Sequence, residues 1–300
     1  MKRAGTGAIV ALMAWLTLGA TAADPPAGAR SSLDLGRVME AAFSPDLQSD
    51  DRLFILAIGS DARPDQAVAG TRADSLHIIG VNAGQNAASI LGIPRDSYVP
   101  IPGAGSQKIN ASLFLGGPQL TVRTVEQLTG IHFDAYALVG FKGFRRLVTT
   151  VGGLEVRIPY PMNDAASGAH FRAGPARLTG PRALAFARNR HDAPGGDFGR
   201  SLNQGLLMVA ALRELREDFD KDPVTLFRWV VAARRYVQTN LSVDRVLDLL
   251  LAALSVEPDR VRNRVVSGGG GTVGGASVVH LGASAQGMFR DLRRDAMLGG

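Results

Sequence analysis

Arginine, mostly with aspartate close by, recurs in five short clusters: Gly59-Ser60-Asp61-Ala62-Arg63, Arg72-Ala73-Asp74, Ile93-Pro94-Arg95-Asp96, Arg188-Asn189-Arg190 and Asp197-Phe198-Gly199-Arg200. A guanidinium is a planar fork that matches phosphate oxygens, and each charge-assisted hydrogen bond contributes roughly 1.5–3 kcal/mol. Four or five of them converging would hold a pyrophosphate. Aspartates in the same place would repel that ligand unless a cation lay between, and Mg²⁺ is held by one or two carboxylates together with phosphate oxygens and water. Asp61 and Asp74 are the candidate metal ligands. Any one cluster alone reads more simply as a surface ion pair or a helix cap; the case rests on convergence.

Convergence depends on the elements that carry the clusters. Leu53 to Gly59, Ser75 to Asn82 and Ala87 to Ile93 are rich in Ile, Leu and Val and read as three strands. If they pair antiparallel in order, one sheet edge gathers Asp61, Arg72, Asp74, Arg95 and Asp96. A helix is expected over Gln119 to Leu128, stopped at Gly130. Strands at Ala137 to Val139 and Leu154 to Ile158 flank a helix from Phe141 to Val151, which makes the class α/β. A bend into strand at Phe186 would aim Arg188 and Arg190 to one side. Asp197 leads into an amphipathic helix marked by Leu202, Leu206, Val209 and Leu212, on which Arg200 and Gln204 are neighbours. Helices over Val224 to Val237 and Val243 to Leu254 make the C-terminal third mainly helical. Gly268 to Gly275 reads as a flexible glycine-rich loop, followed by a strand at Val278 to Leu281 and a closing helix.

Composition narrows the chemistry. The 300 residues include no cysteine, which excludes disulfides, thiolate nucleophiles and cysteine-bound zinc. Lys2 and Arg3 precede an apolar run from Ala8 to Ala23, with Ala20-Thr21-Ala22 as a candidate cleavage site. As a helix that run is ~24 Å long, short of the ~30 Å hydrocarbon core, so a cleaved export signal over residues 1–22 is favoured over a retained anchor. Residues 23–50 read as a linker with a short helix around Leu33 to Ala42, and 51–300 as one catalytic domain. The net charge is +6, leaving +4 without the leader. That dispersed basicity and the export signal argue against nucleic acid as partner.

In their order, these motifs resemble the LytR-CpsA-Psr family of cell-wall glycopolymer ligases. The likeness runs from about Phe54 to Leu212 and adds Ser97-Tyr98-Val99, Lys108-Ile109-Asn110-Ala111, Gly152-Gly153-Leu154-Glu155-Val156, Leu178-Thr179-Gly180 and Ala183 to Arg190. The resemblance implies a three-layer α-β-α fold with a central mixed sheet, and an apolar tunnel holding a polyprenyl tail whose pyrophosphate meets arginines at the mouth. It places Asp61 and Asp74 as magnesium ligands. It places Arg72, Arg95, Lys108, Arg188, Arg190, Arg200 and Gln204 on the pyrophosphate, and Asp96 and Asp197 as acids of the same pocket, with Arg95, Asp96 and Asp197 as the catalytic candidates. One departure is Asn203, where relatives often carry arginine.

The implied activity is transfer of a glycopolymer phosphate from a polyprenyl-pyrophosphate carrier to a peptidoglycan sugar hydroxyl, at the outer face of the membrane. Hydrolysis of the lipid pyrophosphate, or binding without catalysis, are the alternatives. Other signals are set aside. Gly269-x-Gly271-x-x-Gly274 runs into Val278-Val279 rather than a helix, His191 beside Arg190 is a candidate for the mouth of the site but is read first as structural, and Arg234-Arg235 as a solvated face.

Overall fold

A computed structural model describes residues 52–63 and 66–299. The expected leader, linker and first short helix lie outside the described residues. Among these, the strands in chain order are β1 (Arg52–Ser60), β2 (Ala73–Asn82), β3 (Ala87–Gly92), β4 (Tyr98–Ile101), β5 (Gly105–Lys108), β6 (Ala135–Gly140), β7 (Leu154–Ile158), β8 (Met162–Asp164), β9 (Ala169–Phe171), β10 (Gly174–Leu178), β11 (Gln238–Thr239), β12 (Val261–Val265), β13 (Gly268–Val273) and β14 (Ala276–Leu281). The helices are α1 (Ala111–Thr129), α2 (Phe141–Thr150), α3 (Gly180–Arg188), α4 (Asp197–Lys221), α5 (Thr225–Tyr236), α6 (Val243–Ser255) and α7 (Ala283–Asp295).

The central sheet is mixed, in the order β11-β6-β1-β2-β3-β12. β1 and β2 are antiparallel, as are β2 and β3, while β6 runs parallel to β1 and β12 parallel to β3. Side chains of a strand alternate between faces, and here both faces are buried. Leu56 and Ile58 of β1 join a core with Val125 of α1 and Phe289 and Leu292 of α7. Leu53 and Ile55 pack on the other side with Val256, Leu212 and Leu249, next to α4 and α6. Helices therefore cover the sheet on both sides, the expected three layers.

A third core joins α2, α3, α4, α5 and α6 to β7 and β10. Trp229 lies in it, donating from Nε1 to Asp218 at 2.9 Å. The strand expected at Leu154 to Ile158 forms, but it pairs with β10 outside the central sheet. α1 starts earlier than its sequence period indicated and is broken at Gly116 and Gly117, just before Pro118, whose ring cannot continue a regular helix.

The glycine-rich segment is not a flexible loop. β13 and β14 form a hairpin through Gly274 and Gly275, both with positive φ, the geometry of a tight two-residue turn. Val279 N–H donates to the Asp96 carbonyl at 2.9 Å, so the hairpin braces the loop after β3. No helix among the described residues is long and apolar enough to cross a membrane.

His77 of β2 is fully buried beneath the start of α4. A carbonyl can only accept, so Nε2–H donates to Ser201 O at 3.0 Å, and Nδ1 accepts from Ser75 Oγ at 3.1 Å. Burial lowers its pKa from 6.5 to about 4, against a smaller opposing effect of the Ser201 bond. The unfolded chain thus binds a proton between these values that the folded chain does not, and stability falls as pH drops through that window. Unfolding by urea from pH 7 to pH 4 should show wild type losing on the order of 3 kcal/mol more than His77→Gln. Parallel pH profiles of the two proteins would contradict it.

Candidate functional site

The antiparallel path of β1, β2 and β3 brings the end of the first, the start of the second and the end of the third to one edge, as the sequence suggested. Gly59 permits this closeness: a Cβ there would lie 2.8 Å from the Cβ of Ser75. At this edge is a cavity of about 320 Å³ lined by Asp61 and Arg63 after β1, Asp74 of β2, Arg95 after β3, Phe141 of α2, Asp164, Ala166 and Ser167 of the β8–β9 hairpin, Arg188, Arg190 and His191, and Arg200 of α4. Five guanidinium groups face three carboxylates.

Arg188 and Arg190 reach the cavity by a route different from the expected bend. α3 continues through Phe186 and ends at Arg188. The extended residue is Asn189, with φ −59° and ψ 123°, so the arginines on either side of it emerge together. Asn189 is fully buried, donates to Asp192 at 2.9 Å and pins the pair from beneath. The Arg188 guanidinium lies 5.2 Å from the centroid of the Phe141 ring.

Behind the cavity, charges alternate. Arg95 Nη1 bonds Asp74 Oδ1, Arg200 Nη1 lies 3.5 Å from the same oxygen, and Arg200 Nη2 is 2.7 Å from Asp197. Lys108 is 2.9 Å from Asp96. Arg95 Nε sits 3.7 Å from Asp197 and 3.9 Å from Asp96, too far for hydrogen bonds, and Arg200 Nε likewise has no acceptor among the described residues. Burial is the largest influence on both guanidiniums. For Arg95 the three nearby carboxylates outweigh it and the pKa rises, whereas for Arg200 burial prevails, with repulsion from Arg95 and Arg190 added, and the pKa falls. A buried cation held at such cost, with spare donors, suits an added anion.

Asp61 is engaged by no side chain among the described residues. Both arginine contacts of Asp74 fall on Oδ1, leaving Oδ2 without a partner among the described residues. Two carboxylates with free oxygens on one cavity fit the donor set of Mg²⁺, which takes its remaining ligands from phosphate and water.

The other expected residues are placed differently. Asp96 and Asp197 do not line the cavity; Asp96 pairs with Lys108, and Asp197 lies beside Arg200 and Arg95. Lys108 stands outside the cavity with Asp96. Arg72 is exposed away from it, contributing its carbonyl to Asp61 N–H at 3.3 Å. Gln204 ties α4 to the end of α3 through a 3.1 Å bond to Ala187 O. Asn203 is buried and donates to the Tyr160 hydroxyl at 2.7 Å. An arginine there would have to displace that contact.

Sequence reading named Arg63 in a cluster without giving it a role, did not single out Phe141, Asp164 or Ser167 for the site, and ranked a structural role for His191 above a place at the mouth, where the structure puts it. The His191 ring bonds Asp164 through Nδ1 at 2.9 Å, leaving Nε2 as the other ring nitrogen. Asp164 is buried, which works against its charge, but His191, Ser167 and the Ala166 N–H together hold its carboxyl well below the usual range. A carboxylate orienting an imidazole at a cavity wall is the arrangement of a general base. The adjacency of His191 to Arg190 was the only sequence signal.

A second cavity, about 210 Å³, lies between the sheet and α2, α3 and α4, with Ile58, Val139, Phe144, Leu147, Leu184, Leu207 and Met208 in its walls. It shares Asp74, Phe141 and Arg188 with the polar cavity. Gln204 lines this apolar space rather than the polar one.

The protein is thus an α-β-α fold with an arginine-rich, carboxylate-bearing cavity that shares three wall residues with an apolar one. The chain belongs to the LytR_cpsA_psr family, whose model matches residues 26–293. It is 34% identical over 205 residues to the polyisoprenyl-teichoic acid–peptidoglycan teichoic acid transferase TagU of Bacillus mycoides, covering 68% of this chain. The match spans 65% of that relative's length. Among solved structures, it resembles Bacillus subtilis TagV with a TM-score of 0.69 and 26% identity, over 84% of this chain and 99% of that one. TagT bound to LI-WTA superposes with a TM-score of 0.67 at 24% identity, over 82% of this chain and 91% of that one, a likeness of fold.

Proposed function

We propose that this chain is an exported phosphotransferase that moves a glycopolymer phosphate from a polyprenyl-pyrophosphate carrier onto a sugar hydroxyl of peptidoglycan. The observation that carries the reading is that the two cavities share Asp74, Phe141 and Arg188 in their walls, which supports a polar socket for a pyrophosphate beside an apolar one for the start of its tail. The likeness to TagU, a polyisoprenyl-teichoic acid–peptidoglycan teichoic acid transferase, supports it, and the candidate leader at residues 1–22 would deliver the chain to the outer face of the membrane.

Arg95, Arg188, Arg190 and Arg200 would hold the pyrophosphate oxygens and offset charge as it builds on them. Asp61 and Asp74 would hold Mg²⁺, which supplies further charge neutralisation on the phosphate oxygens. His191 Nε2 would accept the proton of the acceptor hydroxyl while Asp164 steadies the ring. The acceptor oxygen bonds to the glycan-side phosphorus as its bond to the bridging oxygen breaks. Polyprenyl phosphate leaves, and the glycan is joined to the wall by a phosphodiester.

The test is incubation of the full chain with labelled lipid-linked glycan and peptidoglycan. Label is expected to enter the wall fraction, with polyprenyl phosphate as co-product, and chelation of divalent metal should reduce transfer, as should Asp61→Asn. Release of free glycan phosphate without wall labelling would instead make the chain a hydrolase, and intact lipid would make it a binder only.

A further inference from the structure

We propose that the outer face of α2 and α5 is a docking surface for a bilayer containing anionic phospholipid. α2 turns Phe144, Leu147 and Val148 into the core, which leaves Lys142, Arg145 and Arg146 exposed on its opposite side. α5 packs beside it and ends in exposed Arg234 and Arg235. These cations rim two adjoining surface cavities, of about 610 and 380 Å³, in whose walls there is no carboxylate among the described residues. Arg234 spends one N–H on the Leu241 carbonyl and Arg235 stacks on Tyr236, but none of the five forms an ion pair among the described residues. Five cations close together repel one another, and a surface of anionic headgroups relieves that repulsion.

An exposed apolar side chain favours a bilayer over a soluble polyanion. Val231 of α5 is 50% exposed. It stands one turn before Arg234 and Arg235, on the same stripe of the helix. An exposed apolar residue flanked by cations is the pattern of a helix lying in a membrane interface. The larger cavity also has an apolar floor, including Phe141 and Leu184, both of which line the apolar cavity described above. Docking on this face sets that cavity against the lipid. The docking stands whether or not the chain transfers a glycan.

The chain has no cysteine, so Val231→Cys gives a single labelling site on the full-length protein for a polarity-sensitive fluorophore. A contact at this position is read separately from any anchoring by residues 1–22. With vesicles of mixed phosphatidylglycerol and phosphatidylcholine, the dye is expected to shift to the blue, and with pure phosphatidylcholine to shift much less. Arg145→Glu with Arg146→Glu in the same chain should abolish the shift without lowering the melting temperature, since both residues are exposed. A dye at Ser277→Cys, on the hairpin that follows the opposite edge strand, should not respond. An unshifted dye at position 231, or a shift that survives the charge reversal, overturns the proposal. A soluble glycerol-phosphate polymer that binds this face in place of vesicles, with no blue shift on either, would assign the patch to a polyanion and overturn it too.

Discussion

Replacing His191 by glutamine is expected to lower turnover by about 10²–10⁴-fold, the usual contribution of a positioned base, with little change in affinity for the lipid pyrophosphate. The ring stands at the cavity wall, oriented through Nδ1 by a buried carboxylate, whereas Asp96 and Asp197 do not line the cavity. Asp164→Asn should act in the same direction but less severely, because the imidazole stays and only its orientation and charge support are weakened. A purely structural role for the pair would appear as lost stability with unchanged kcat per folded molecule. Retention of kcat in His191→Gln would remove His191 from the mechanism.

Arg200→Ala is expected to fail for a different reason. Arg200 is 6% exposed and serves Asp74 and Asp197 together, with a further 3.2 Å bond to the Asp74 carbonyl. Removing one partner of a buried ion pair typically costs about 3–5 kcal/mol, because the other charge is left without compensation. Urea unfolding should therefore show a loss of that order, alongside weakened lipid binding. Asp197→Asn added to Arg200→Ala should recover part of the stability but none of the binding. If the double variant is no more stable than Arg200→Ala, the uncompensated carboxylate is not the source of the loss.

The two outcomes reflect how differently parts of the site were written into the sequence. Asp61, Asp74 and Arg95 were legible because each follows or opens a strand, and antiparallel neighbours bring such ends together whatever the side-chain details. Arg188 and Arg190 were legible as a pair, but the extended residue between them is Asn189, at a helix end that periodicity cannot place. Pairing was not legible. Nothing in Asp96 or Asp197 tells which arginine it will meet once loops fold, and Asp164 comes to His191 from a separate hairpin 27 residues away. The apolar cavity draws on β1, β6, α2, α3 and α4, so no single stretch announces it. The basic face likewise needs two helices that sequence alone does not set side by side. The glycine run misled because a strand without side chains looks like a loop: a Cβ on Gly268 would collide with Val279, and one on Gly271 with His280, of the partner strand, while Gly269 and Gly270 have open space.

The proposal that the arginine-lined cavity holds a lipid pyrophosphate is best tested by native mass spectrometry of the full chain purified from its host membranes, wild type beside Arg95→Ala. Arg95 is reached by Asp74, Asp96 and Asp197 yet keeps a buried, unpartnered Nε–H, and its loss should free the ligand while the ion pairs of Arg200 keep the edge folded. A polyprenyl phosphate or pyrophosphate adduct on wild type, absent from Arg95→Ala, is the expected result. A bare wild-type mass even after incubation with the lipid, or an adduct retained equally by the variant, would contradict it.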